Sequence, residues 1–211
     1  MDIAVPYFLA RPSAAPPWPG VVVVMEGNGV SVQLLGVCER LAAEGYAAIA
    51  PDLFWRFGGS GTGDFMDYMS RLGTEDVLDD LSFTIAELRR AGAERVGITG
   101  FCRGGFYAYT AATHGLDLQA AAPFYGGGIA QELGAPSCPL LAFFGARDEY
   151  ISTDDIDAVV AHHPGLVVVY DDAGHGFMRN GSDSYVESAA TDAWSRLLTF
   201  FDEHLKSSMR A

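Results

Sequence analysis

ITGFCRGGFYAYTAATH, residues 98–114, decides how this chain reads. An apolar run ends in Gly100-Phe101-Cys102-Arg103-Gly104 and passes straight into a helical pattern. This is the strand–turn–helix elbow G-x-S-x-G with cysteine in place of serine. Such an elbow forces its central residue into a strained turn, so close neighbours must lack bulk. Gly100, Gly104 and Gly105 meet that need. The turn lifts the Cys102 sulfur above the sheet at the start of the next helix. There the helix dipole and free N–H groups favour a thiolate. The Arg103 amide becomes one natural oxyanion donor. Alone, G-x-C-x-G reads equally well as a small buried cysteine in a Gly-rich turn, so the other chemistry-bearing residues decide.

Further along, LLAFFGARDEY puts Asp148 just after an apolar run, and VVVYDDAGHGFMR puts His175 just after another. Both fall where strands hand over to loops. His175 would take the thiol proton and later activate a water, while Asp148 would hold the imidazole tautomer. Asp171 and Asp172 are rivals for the acid, but a residue on a separate loop braces the ring more easily than one a few positions upstream. The order nucleophile, acid, histidine is that of α/β hydrolases. The remaining histidines, His114, His162, His163 and His204, lie in or beside helical patterns and read as surface residues.

The flanking sequence agrees. Short, nearly continuous apolar runs begin at Val21, Tyr46, Arg95, Ala120, Pro139 and Leu166. They mark strands buried on both faces of a parallel sheet. Helical patterns cover 31–44, 75–91, 103–114, 153–163 and 184–205. This alternation predicts an α/β fold, a mostly parallel central sheet with helices on both faces, joined by right-handed crossovers. Ligands then sit beyond the carboxyl ends of the strands. An edge strand is expected over 3–9, joined to the first core strand by the Pro- and Ala-rich stretch 11–20. No repeat divides the chain, so 1–211 reads as one domain.

Composition narrows the partners. The 211 residues are 49% hydrophobic and 19% charged, ordinary for a globular enzyme. A net charge of −14 repels nucleic acid and anionic membrane surfaces. An anionic small-molecule substrate would need a local basic site. No run is long enough to span a membrane, and the N-terminus lacks the basic n-region of a signal peptide. A cytoplasmic location is the expectation, and three cysteines without paired spacing fit a reducing compartment. The expected assembly is a monomer or weak homo-oligomer.

Several ordered motifs together resemble the dienelactone hydrolase family (carboxymethylenebutenolidase-like proteins) across nearly the whole chain. They are VVVVMEGNG, VCERLAAEGYAAIAPDLF, GFCRGG, GARDEYI and GHGFMR. The resemblance implies an α/β-hydrolase fold that opens lactones or cleaves related esters without a metal or cofactor. It implies that Glu26 pairs with the resting thiol and that Gly27 is the second oxyanion donor. It also implies that Arg179, four residues after His175, pairs with Glu26 or with a substrate carboxylate. A second substrate arginine of the family has no clear counterpart in GGSGTGDFMDYMSRLG, residues 58–73; Arg56 and Arg71 lie too near flanking elements.

Other residues have plainer readings. Cys38 falls on an apolar helix stripe and Cys138 precedes Pro139 where a strand begins, so both read as structural. Trp55, Phe57, Phe65, Met66, Tyr68 and Met69 either wall an apolar pocket or cap the sheet. The Arg103 side chain reads as pointing into solvent, with substrate binding as the alternative. The leading reading is a hydrolase of a small lactone or ester acting through a thioester. A general short-chain esterase or thioesterase is one rival. A catalytically inactive fold used for ligand binding or thiol sensing is another. The sequence has no H-E-x-x-H and no Cys or His pair at zinc spacing. Esterase activity should therefore survive dialysis against EDTA unchanged; a loss restored by added zinc would contradict this.

Overall fold

A computed structural model describes residues 4–206. Seven strands form one sheet: β1 (Tyr7–Ala10), β2 (Trp18–Val24), β3 (Ala47–Pro51), β4 (Ala93–Phe101), β5 (Ala120–Phe124), β6 (Ala142–Gly145) and β7 (Val167–Tyr170). Their order is β1-β3-β2-β4-β5-β6-β7, with only the β1–β3 pair antiparallel. The Val-rich run of β2 explains its central place. Val21, Val22, Val23 and Val24 are all fully buried, which requires cover on both faces.

That cover comes from α1 (Val32–Ala43), α3 (Thr74–Arg90), α4 (Arg103–Thr113), α5 (Thr153–His162) and α6 (Glu187–Phe201); a short helix, α2 (Phe65–Arg71), lies apart near the strand ends. Helices α3 and α4 pack against each other on one face. On the other, α1 meets α6, where the Arg40 guanidinium lies 3.9 Å from the Trp194 ring centroid. Local sequence sets the helix starts. The Ser31 hydroxyl accepts from the Leu34 amide at 3.2 Å, and Ser152 from Asp155 at 3.1 Å. Helix α3 has no side-chain cap but carries Glu75 and Asp76 in its first turn and Arg89 and Arg90 in its last, matching the helix dipole. This is the α/β-hydrolase fold.

Four details differ from the sequence reading. The edge strand begins at Tyr7, after Pro6, whose carbonyl accepts from the Asp52 amide at 2.8 Å; Ile3 lies outside the described residues. Helix α6 begins at Glu187, because the Val186 amide instead donates to the Phe177 carbonyl at 3.2 Å. Its last turn widens to a π-helical one over Asp202–Lys206. Helix α2 was not expected. It is seven residues long, and Asp64 caps it by accepting from the Met66 amide at 2.8 Å. Its apolar residues Phe65 and Met66 are exposed, so it gives no core-facing periodicity. Lastly, His163 is buried, with Nε2 2.9 Å from the Tyr109 hydroxyl, whereas His114 and His162 are exposed.

From β2 successive strands are added toward one edge (β3) and then, from β4 on, toward the other, so the parallel neighbours β2 and β4 bracket the switch point of the sheet. There α4 starts against bare backbone. A Cβ on Gly104 would overlap the carbonyls of Val24 and Met25, and one on Gly105 the carbonyl of Phe124. Neither obstacle is a flexible side chain. Gly104→Ala should therefore destabilise the fold by about 1–3 kcal/mol, read as a lower urea midpoint. An unchanged midpoint would mean that β2 and α4 can separate freely.

Candidate active site

The ends of β2, β4, β6 and β7 each deliver one group to a common cleft of about 650 Å³. Cys102 caps α4 with φ 56° and ψ −119°. This is a costly conformation for a residue with a Cβ. It is held because the Cys102 amide donates to the Phe124 carbonyl at 3.1 Å, while its own carbonyl accepts from Gly105 at 2.9 Å and Phe106 at 3.2 Å. The bonds fix both sides of the turn and leave the side chain half-buried in the cleft.

Asp148 and His175 come from loops that are zipped together. The Ala146 amide donates to Tyr170 and the Arg147 amide to Ala173, each at 2.9 Å. The Asp148 side chain is fully buried. Its Oδ1 accepts from the Tyr150 amide at 2.8 Å and the Ile151 amide at 3.0 Å, and its Oδ2 lies 2.8 Å from His175 Nδ1. With Nδ1 donating there, Nε2 is the nitrogen left to meet the sulfur. Of the rival acids, Asp172 pairs with Arg147 and Asp171 is exposed. Burial would lower the His175 pKa, but hydrogen bonds to Asp148 and Cys102, with their negative charge, outweigh it and push it up to about 9. Two rings grip the imidazole edge-on, Tyr125 and Tyr150, each with its centroid 5.0 Å away.

Glu26, just beyond β2, is 8% exposed. Its Oε1 accepts from Arg179 Nη2 at 2.9 Å, which satisfies a carboxylate that would be costly to bury alone. That bond raises the Arg179 pKa. Arg179 reaches Glu26 from a tight turn after His175. Its amide donates to the Gly176 carbonyl at 2.8 Å, and Ser182 donates to the Arg179 carbonyl at 2.8 Å. The amides of Gly27 and Arg103 donate to no other group among the described residues. Both residues line the cleft beside Cys102.

The apolar and aromatic residues of the 55–69 segment divide. Phe65, Met66 and Met69 line the cleft. Trp55 instead donates to buried Asp80 at 3.1 Å, and Tyr68 packs on Phe54 and Phe57. Arg56 pairs with Asp80, and Arg71 with Asp67, so neither is a free cation. Cys38 and Cys138 are buried, and burial pushes their thiols up to about 12 and about 11. The Arg103 side chain is not in solvent, contrary to expectation. It is half-buried, with its guanidinium carbon 4.7 Å from the Phe106 ring centroid and 4.8 Å from that of Tyr107. Sequence reasoning missed Tyr125 and Tyr150. Tyr125, the residue after β5, has φ 35° and is one of two non-glycine residues with positive φ among those described; Cys102 is the other. Its place at a strand end was the available signal. No group of three or more potential metal ligands occurs among the described residues, nor any helix long and apolar enough to cross a membrane.

Comparison with known proteins agrees with this arrangement. A provisionally named carboxymethylenebutenolidase of Yersinia pestis is 32% identical, covering 94% of this chain and 84% of its own. One of the same provisional name from Synechocystis is 33% identical, covering 94% and 92%. Among solved structures, a protein of Klebsiella pneumoniae described provisionally as a dienelactone hydrolase superposes with a TM-score of 0.83. It is 32% identical and covers 94% of this chain and 93% of its own. The model of the dienelactone hydrolase family matches residues 5–205, and this chain belongs to that family.

Proposed function

We propose that this chain, a carboxylic ester or lactone hydrolase by family, cleaves a small substrate through a thioester on Cys102. The observation that carries this reading is the strained Cys102 turn in an open cleft beside a His175 whose Nδ1 is held by Asp148. The proton given up by the Cys102 thiol resides on His175 Nε2 when the sulfur attacks the carbonyl carbon. The developing oxyanion lies between the amides of Gly27 and Arg103, which have no other acceptor to give up. His175 then returns the proton to the departing alkoxide, which in a lactone stays tethered to the acyl group. In the second half, His175 removes a proton from water, hydroxide adds to the thioester, and the thiolate leaves. Glu26 holds Arg179 at the rim of the cleft and keeps a negative charge near the reacting sulfur. The apolar wall of Phe65, Met66 and Met69 would take the hydrocarbon part of the substrate.

Cys102→Ala should abolish hydrolysis of 4-nitrophenyl acetate, and His175→Ala should lower kcat at least about a thousandfold. Near-normal activity in Cys102→Ala would overturn the reading. A triad of this kind also has a thermodynamic signature. The folded His175 pKa of about 9 lies above its ordinary 6.5. The stabilisation it brings is fully present below the unfolded pKa and is lost as pH rises through the folded one. Its size is at most on the order of 3 kcal/mol. In urea unfolding, wild type should therefore lose stability relative to Asp148→Asn as pH is raised from near neutral to about 9.5. A difference independent of pH would mean that the Asp148–His175 bond does not hold the imidazolium.

A further inference from the structure

We propose that Ser60, oriented by Asp52, is a positioning residue for the oxyanion hole: it holds the turn whose first peptide carries the Gly27 amide. The inference rests on the hydrolase reading and adds to it a pair of side chains outside the triad. Just beyond β2, the Glu26 carbonyl accepts from the Gly29 amide at 3.0 Å. That carbonyl and the Gly27 N–H belong to one planar trans peptide and point in opposite directions. Whatever fixes the carbonyl therefore aims the donor. Gly29, at φ 90°, closes the turn in a conformation that side chains rarely adopt. Gly27 and Gly29 have no side chains and Asn28 is exposed, so the turn cannot anchor itself in the core.

The hold comes from the neighbouring strand end. Strands β2 and β3 are parallel neighbours, so Asp52, the residue after β3, arrives near the turn. Its own amide is tied to the Pro6 carbonyl at 2.8 Å. Its Oδ1 accepts from the Ser60 hydroxyl at 2.7 Å and from the Phe54 amide at 3.1 Å, and its Oδ2 accepts from the Ser60 amide at 2.8 Å. Asp52 forms no ion pair among the described residues, so its charge strengthens these bonds alone. With its proton given to Asp52, the Ser60 hydroxyl oxygen is left as an acceptor. The Val30 amide donates to it at 2.9 Å. That N–H shares its peptide with the Gly29 carbonyl, so Ser60 clamps the exit of the turn. The fit is close: a Cβ on Gly29 would overlap the Ser60 side chain. Such a clamp matters once negative charge develops on the substrate oxygen. Its loss therefore slows the chemical steps without weakening substrate binding.

The test follows Ser60→Ala and Asp52→Asn in two reactions. One is hydrolysis of 4-nitrophenyl acetate. The other is thiol exchange with 2,2′-dithiodipyridine, in which Cys102 attacks sulfur and no oxyanion forms. In Ser60→Ala, kcat and kcat/KM should both fall about tenfold, with KM within about twofold of wild type. Thiol exchange should keep the wild-type rate and pH profile. Asp52→Asn should behave alike, and the double variant should be no slower than the slower single one, because the two side chains act in series. Unchanged ester kinetics in Ser60→Ala would overturn the proposal. So would a loss carried by KM, or an equal loss in both reactions, which would mark a general disturbance of the cleft. Amide hydrogen exchange supplies a readout without turnover. The Gly29 and Val30 amides should exchange faster in Ser60→Ala, and unchanged rates would count against the clamp. If no ester turns over in wild type, the hydrolase reading fails, while the exchange rates still decide whether Ser60 holds the turn.

Discussion

Backbone pressed on backbone at the start of α4 is the constraint on which the rest depends. Gly104 lies against the last carbonyls of β2 and Gly105 against that of Phe124 at the end of β5. No side chain fits between them. The close approach sets α4 hard on the sheet and forces the preceding residue, Cys102, into positive φ. The sulfur is thereby carried at the junction of β4 and α4, in the middle of the sheet. Strain at such a point persists only where its surroundings over-determine it, and the hydrogen bonds on both sides of Cys102 do so.

Around that fixed sulfur the charges are arranged as two pairs. The Asp148 side chain is fully buried, and its oxygens accept from two amides and from His175. Glu26 is nearly buried, and Arg179 answers it. Each pair joins residues from separate loops, and Glu26, Arg179 and His175 line the cleft. Tyr125 and Tyr150 add a steric grip on the imidazole that hydrogen bonding alone would not supply.

The surface is strongly acidic, and most arginines are spent on nearby carboxylates: Arg56, Arg71, Arg89, Arg90, Arg147 and Arg196 all form ion pairs. Arg103 is held by aromatic faces instead and follows Cys102 directly in sequence.

The sequence by itself determined the architecture and the order of the chemistry. Six apolar runs became the six parallel strands, because residues buried on both faces leave an unbroken apolar signal. Cys102, Asp148 and His175 were legible because each follows such a run, and strand ends are where this fold exposes its residues. Helix α2 was not legible, since its apolar side faces the cleft and not the core. His163 looked like a surface residue because its partner, Tyr109, is distant in sequence. Only the tertiary structure brought Asp148 to His175 and Arg179 to Glu26 as hydrogen-bonded pairs and left Arg103 without a carboxylate partner among the described residues. Local pattern records how a segment meets water. Pairing across the sheet depends on where separate loops arrive, and the packing of helices on strands fixes that.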